Sequence, residues 1–106
     1  MVTRGEVWLA ALDPTIGSEI QKTRPCLIIS PAEIHDHLRT VIVAPMTSGG
    51  HPAGFRVPVT FQGVNELILL EQSRALDKKR LVKRLGTVPA AILRQTLRTL
   101  RALYEE

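Results

Sequence analysis

Two polar stretches, far apart in the chain, carry side chains that can hold a phosphate. Arg24 precedes an apolar run that begins at Cys26, and Thr47 and Ser48 follow a second apolar run. A guanidinium places two N–H donors on an anion, and a neighbouring hydroxyl can hydrogen-bond the same group. On spacing alone a plainer interpretation stays open, in which Arg24 forms a surface salt bridge with Glu19 and Thr47 belongs to an ordinary turn.

Arg24 also ends a polar stretch of thirteen residues, 13–25, that separates two apolar runs. Within it Gly17 permits a positive φ, Ser18 offers a hydroxyl and Glu19 offers a carboxylate. Loops of this length without structure of their own are usually binding or catalytic elements in a small domain. We therefore expect this loop to contribute to a functional site.

Short β-strands must position these residues. Alternating, β-branched and apolar residues predict strands over 6–12, 26–30, 40–45, 55–60, 67–70 and 83–85, with a turn at 62–65. If strands 26–30 and 40–45 pair in antiparallel fashion, Arg24 and Thr47 meet at the same edge of the sheet. The strand spacing thus predicts one shared site.

Two helices are predicted. Residues 31–37 can form one or two turns, with Ser30 as N-cap and Pro31 at the first helical position. A longer helix begins near Pro89 and carries an apolar stripe, which comprises Ile92, Leu93, Thr96, Leu97, Leu100 and Leu103. The predicted fold is α+β and mostly β: a small barrel of curved antiparallel sheet covered by a C-terminal helix, as a single domain over 1–106.

Composition limits the function classes. The chain has 106 residues and a net charge of +4, which suits a polyanion, an acidic protein or simple solubility. Its single cysteine, Cys26, lies in an apolar run, which predicts a buried thiol and a cytoplasmic location. No apolar stretch is long enough to cross a bilayer, so no membrane partner is expected.

The sequence contains residues that suggest other kinds of site, namely a metal site, a hydrolase motif and a basic binding surface. His35, Asp36 and His37 offer metal-ligand types, but residues two apart do not share a helix face, and solvated histidines with no metal are expected. A Gly-x-Ser-x-Gly motif is absent. A basic cluster can bind RNA or an acidic peptide, and it comprises Lys78, Lys79, Arg80, Lys83 and Arg84.

Five motifs in order resemble the MazF/PemK family of bacterial toxin endoribonucleases. They are Gly5-Glu6-Val7-Trp8, Asp13-Pro14-Thr15-Ile16-Gly17-Ser18-Glu19, Arg24-Pro25, Pro45-Met46-Thr47-Ser48-Gly49-Gly50 and Glu71-Gln72-Ser73-Arg74-Ala75-Leu76-Asp77. The resemblance implies a homodimeric SH3-like barrel and sequence-specific, metal-independent cleavage of single-stranded RNA without a cofactor. It also implies a cognate antitoxin whose acidic, disordered tail occupies the RNA groove.

The resemblance implies roles for individual residues. Arg24 would stabilise the phosphorane formed when the substrate's 2′-hydroxyl attacks phosphorus, and Thr47 would bind the same phosphate or orient that hydroxyl. Glu19 and Glu71 are the candidate proton-transfer groups. The implied RNA-binding residues are Ser18, Gln21, Lys22, Ser48, Gln72, Lys78, Lys79 and Arg80.

The chain departs from patterns seen in some members of that family. Glu71 stands where they have aspartate, Leu69 where they have arginine, and Ser18 where they have histidine. Two other functions stay open. One is a gyrase poison of the same fold, whose C-terminal Trp-Gly-Ile is replaced here by a Glu105-Glu106 end. The other is a barrel that binds RNA or an acidic peptide without cutting.

Overall fold

The computed structural model describes residues 1–12 and 22–106. Over these ranges it contains seven strands, two α-helices and two 3-10 turns. The strands are β1 (Glu6–Ala11), β2 (Thr23–Ile28), β3 (Thr40–Thr47), β4 (Arg56–Phe61), β5 (Val64–Leu69), β6 (Arg74–Asp77) and β7 (Leu81–Thr87). The helices are α1 (Ala32–His35) and α2 (Ala90–Leu103), and the 3-10 turns span Leu70–Gln72 and Lys78–Arg80.

The strands form one antiparallel sheet in the order β4-β5-β3-β2-β1-β7. Strand β3 is central, because it pairs with β2 on one side and with two strands in succession on the other. Its first residues pair with β6, and Met46 and Thr47 pair with β5. This change of partner along one strand curls the sheet, and α2 follows it in the chain. The predicted small barrel with a C-terminal helix is confirmed.

Apolar side chains pack on both faces of this sheet. Consecutive strand residues point to opposite faces, so Leu27 joins one cluster and Cys26 and Ile28 join the other. Ile92 and Leu93 of α2 pack against the cluster that contains Leu27, as the predicted stripe requires. Cys26 is fully buried, and burial raises the pKa of its thiol to about 12. It therefore acts as a small apolar side chain. Neither helix in the described ranges has the length and hydropathy needed to cross a membrane.

Strand β2 begins earlier than predicted, at Thr23 rather than at Cys26. Arg24 and Pro25 therefore lie within a strand, where they pair with Ala10 and Leu9 of β1. Pairing of β2 with β3 starts only at Cys26. Proline has no N–H to donate, which explains why the second ladder stops short of Pro25.

The turn predicted at 62–65 is also shorter than expected. Phe61 pairs with Val64, so only Gln62 and Gly63 connect β4 to β5. Both have positive φ, 51° and 78°, as a two-residue type I′ hairpin requires. Strand β5 consequently begins at Val64, three residues before the predicted start.

Helix α1 corrects two predictions. Ser30 does not cap it; its Oγ accepts a hydrogen bond from the Ile42 N–H at 3.1 Å and contacts His35 Nδ1 at 2.9 Å. His35 is completely buried rather than solvated, and its Nε2 donates to the Val2 carbonyl at 2.8 Å. Residue spacing could not reveal this, because the Val2 carbonyl lies in the distant N-terminal segment and Ser30 is held by Ile42 of β3. His37 and His51 are exposed, as predicted.

We predict that His35→Ala lowers the free energy of unfolding by about 1–3 kcal/mol or more, since it leaves the buried Ser30 hydroxyl and Val2 carbonyl without their partner. Urea denaturation measures the change. His37→Ala is the matched control, because His37 is exposed and lies two residues beyond the end of α1, and it should change stability little. Equal effects of the two substitutions would contradict a structural role for His35.

Candidate functional site

Arg24 and Thr47 line a single cavity of about 450 Å³ where β2 and β3 approach the loop 48–55. We call it the arginine cavity. Its lining residues are Arg24, Thr47, Ser48, Gly49, Gly50, Arg56, Leu69 and Gln72. Four residues that the sequence analysis selected, Arg24, Thr47, Ser48 and Gln72, therefore lie together.

Strand register explains this meeting. Cys26 of β2 pairs with Pro45 of β3, and the same register carried two residues further sets Arg24 opposite Thr47. Directly opposed residues in antiparallel strands point to the same face of the sheet. Arg24 is half-buried, and its side chain makes no hydrogen bond or ion pair within the described ranges. Its guanidinium is thus available to an anion there, and Glu19, the proposed salt-bridge partner, lies outside these ranges.

Thr47 is the last residue of β3 and is nearly buried. Its Oγ1 accepts a hydrogen bond from the Gly49 N–H at 3.3 Å, which leaves the hydroxyl proton free to donate. A Cβ at Gly50 would lie 3.1 Å from Thr47 Cγ2. Glycine at position 50 therefore lets the loop lie directly against the threonine.

Arg56 is a second cation of this cavity that the sequence analysis missed. It begins β4 opposite Leu69, and its side chain is 22% exposed. Its Nε and Nη2 donate to Glu71 Oε2 at 3.1 and 2.6 Å, and its Nη1 donates to the His51 carbonyl at 2.9 Å. The only signal in the sequence was strand alternation, which directs Val57 and Val59 to the core and Arg56 to the opposite face.

Glu71, a predicted proton-transfer group, does not line the arginine cavity. Its Oε2 receives both hydrogen bonds from Arg56. The structure therefore gives this carboxylate a contact that orients Arg56, and Arg56 in turn holds the loop through His51.

Four other predicted RNA-binding residues line neither this cavity nor the one beside it: Lys22, Lys78, Lys79 and Arg80. Lys78 and Lys79 follow β6 near the start of β3, at the end opposite Thr47, and Lys78 Nζ donates to the His35 carbonyl. Arg80 donates to the Ala11 carbonyl at 3.3 Å. Lys22 is exposed with a φ of 67°. Ser18 and Gln21, also predicted to bind RNA, lie outside the described residues, and so does Glu19, a predicted proton-transfer group.

A second cavity, of about 470 Å³, adjoins the first and shares Ser48 and Gly50 with it. We call it the glutamate cavity. Its lining residues are Ser48, Gly50, Pro52, Pro58, Val59, Thr60, Asn65, Glu66 and Leu67. Burial raises the pKa of the Glu66 carboxyl, and the positive charge of Arg24 opposes that rise more weakly. Sequence reasoning missed Glu66 as well.

Metal-ligating side chains do not cluster in the described part of the chain. Within residues 1–12 and 22–106, no three side chains of His, Cys, Asp or Glu gather closely enough to hold one. The charged side chains that line the two cavities are Arg24, Arg56 and Glu66.

The model of PemK-like, MazF-like toxins of type II toxin–antitoxin systems matches residues 3–104. This chain belongs to that family. The resemblance inferred from its motifs is thereby confirmed.

Two curated relatives of this toxin are named endoribonucleases. The PemK enzyme of Escherichia coli is 43% identical over 100 residues, which cover 89% of this chain and 75% of the relative. The MazF enzyme of Staphylococcus epidermidis is 41% identical over 91 residues, covering 80% and 76%.

Solved structures agree. MazF of Deinococcus radiodurans superposes with a TM-score of 0.85 at 27% identity and covers 96% of this chain and 94% of its own. A MazE–MazF complex from the same organism gives a TM-score of 0.73 at 27% identity, with the same coverage.

The Arg56–Glu71 pair should show measurable coupling. In a double-mutant cycle with Arg56→Ala and Glu71→Ala, we expect a coupling free energy of about 1 kcal/mol, because both groups are partly shielded from water and two hydrogen bonds join them. Urea denaturation of the four proteins measures it. The pair Lys79→Ala and Glu71→Ala, which are not in contact, should show additive effects, and additivity for Arg56 and Glu71 too would contradict the ion pair.

Glu66 should destabilise the fold when ionised. Its raised pKa means that the folded state binds this proton more tightly than the unfolded state, so stability falls as pH rises through the folded-state pKa. Glu66→Gln should therefore be more stable than the parent at pH 7, and the difference should vanish below the ordinary glutamate pKa of 4.5. Thermal melts from pH 4 to 8 measure it, with exposed Glu33→Gln as control; a difference that widens toward low pH would refute the assignment.

Proposed function

We propose that this toxin is an endoribonuclease that cuts single-stranded RNA at specific sequences without a metal ion. The observation that carries the proposal is the arginine cavity, in which a guanidinium with no hydrogen bond within the described ranges shares a wall with a threonine hydroxyl. Neither group is required by the apolar core. The names of the curated relatives support the same reaction class.

The proposed reaction is a transesterification. The substrate's 2′-oxygen forms a bond to the adjacent phosphorus and loses its proton, while the bond from phosphorus to the 5′-oxygen breaks and that oxygen gains a proton. The products are a 2′,3′-cyclic phosphate and a 5′-hydroxyl end. The nucleophile is already attached next to the phosphate, so the protein needs no nucleophile of its own.

Each cavity residue then has a defined task. Arg24 donates two hydrogen bonds to the non-bridging oxygens, whose negative charge grows in the transition state. Thr47 uses its free hydroxyl proton on the same phosphate or orients the 2′-hydroxyl. Ser48 and Gln72 bind the RNA on either side.

We assign proton transfer to a carboxylate that lies close to Arg24 in the sequence. Glu71 is less suited than the sequence analysis expected, because its Oε2 already accepts two hydrogen bonds from Arg56. Glu19, five residues before Arg24 in the segment that joins β1 to β2, is the group we propose.

The partners follow from the same proposal. The net charge of +4 suits both RNA and an acidic antitoxin tail, and the MazE–MazF complex of the Deinococcus relative supports an antitoxin for this toxin. We further propose a homodimer that acts in the cytoplasm. Exposed apolar side chains, Val82 on edge strand β7 and Leu103 and Tyr104 at the end of α2, support a second copy as partner.

Arg24→Ala should lower the cleavage rate of single-stranded RNA by about 10²- to 10³-fold, because a preorganised donor to the phosphorane is lost. Thr47→Val, which keeps the side-chain shape, should lower kcat with little change in stability. Purified protein is incubated with a mixed RNA pool in EDTA, and new 5′-hydroxyl ends are mapped and counted.

Arg98→Ala, on the exposed side of α2, is the matched control and should cut at the parent rate. A substrate with 2′-deoxyribose at the cut site should resist cleavage. An undiminished rate for Arg24→Ala would remove that residue from the mechanism, and absence of cutting by the parent would favour the gyrase-poison or binding-only alternatives.

A further inference from the structure

The residues that line the glutamate cavity suit a ligand, and none of the proposed reaction steps takes place in this cavity. It opens next to the arginine cavity through Ser48 and Gly50. Leu67 pairs with Thr47, so Glu66 lies one residue along β5 from the partner of the catalytic threonine. Whatever occupies this cavity therefore lies beside the scissile phosphate of the proposed function.

Glu66 supplies the cavity with a hydrogen-bond acceptor. Its side chain is half-buried and makes no hydrogen bond or ion pair with any residue in the described ranges. Burial of a carboxylate without a hydrogen-bond partner carries a desolvation cost, which the raised pKa of Glu66 reflects even though the charge of Arg24 offsets part of it. A ligand that donates to this carboxylate recovers that cost.

Asn65 supplies the cavity with a hydrogen-bond donor. Thr60 Oγ1 donates to Asn65 Oδ1 at 2.8 Å, which satisfies the amide oxygen and leaves the amide N–H groups to donate to a ligand. The rings of Pro52 and Pro58 add apolar wall. The cavity thus combines a carboxylate acceptor, an amide donor and apolar surface.

We propose that the glutamate cavity is a nucleobase subsite, in which Glu66 selects a base with an exocyclic amino group at the nucleotide beside the scissile phosphate. The proposal rests on the proposed ribonuclease function and names part of its substrate. It makes Glu66 a specificity-determining residue, without a role in bond cleavage.

The negative charge of Glu66 discriminates between the possible ligands of the glutamate cavity. A second phosphate is repelled by the carboxylate, and so is an acidic peptide tail. A nucleobase is neutral, and its edge carries donors and acceptors. Adenine, cytosine and guanine present an amino group to the carboxylate, whereas uracil presents carbonyl oxygens on both sides of its single N–H. Uracil is therefore the base that Glu66 rejects.

The test compares base preference in the parent and in Glu66→Gln. Short RNAs that vary at each nucleotide flanking the cut site are cleaved, and kcat/KM is measured for each base. We expect the parent to disfavour uracil at one flanking position by about tenfold or more, and Glu66→Gln to lose most of that discrimination, since its amide can donate to a uracil carbonyl. At the preferred position, purine riboside in place of adenosine should show the same loss.

Binding of uncleavable RNAs with 2′-O-methyl groups measures the same preference without catalysis. Glu33→Gln, an exposed carboxylate on α1, is the matched control and should keep the parent preference. Glu66→Ala is made as well, and both variants are checked by thermal melts. Loss of preference in binding would support the subsite even where the parent cuts no RNA, an outcome that defeats only the ribonuclease proposal.

Two outcomes overturn the subsite. One is RNA cleavage by Glu66→Gln and Glu66→Ala with the parent's base preference. The other is a uniform fall in kcat for every sequence, which would assign Glu66 to proton transfer.

Discussion

The register between β2 and β3 is the constraint on which the site depends. Cys26 pairs with Pro45, and that alignment sets Arg24 opposite Thr47 where the ladder ends. A shift of one residue would turn the side chains of β2 to the other face, moving Cys26 and Ile28 out of their core cluster and Arg24 away from Thr47. The same apolar packing that stabilises the sheet therefore positions the guanidinium against the hydroxyl.

The two arginines that line the arginine cavity differ in whether a neighbouring carboxylate neutralises their charge. Arg56 is bound by Glu71 and by the His51 carbonyl, so its role there is to hold the loop over Thr47. Arg24 has no such partner within the described ranges, and its positive charge extends to Glu66 in the adjoining cavity. Arg56 thus maintains the shape of the cavity, while the guanidinium of Arg24 remains available to an anion there.

Local pattern made much of the fold predictable. Strand alternation located the sheet, and the apolar stripe over 92–103 located α2, because a strand or helix with one buried face leaves a period in the sequence. Boundaries were less accurate: β2 begins before Pro25 and β5 directly after Gly63, since pairing with a neighbouring strand extends each element beyond its apolar core. The meeting of Arg24 and Thr47 was predictable because it needed only the pairing of two adjacent strands.

By itself the sequence determined the family, the mostly-β architecture and the two residues at the centre of the site, all of which are written in short motifs and periodicities. Only the tertiary structure decided that His35 is buried, that Glu71 binds Arg56 and that Glu66 lies beside Arg24. Each of these depends on a contact between segments that lie apart in the chain: Val2 with His35, Arg56 with Glu71, and Arg24 with Glu66. Contacts of this kind produce no repeating pattern of residue types in the sequence. Each joins two single residues, and whether they meet depends on how all the strands between them are placed.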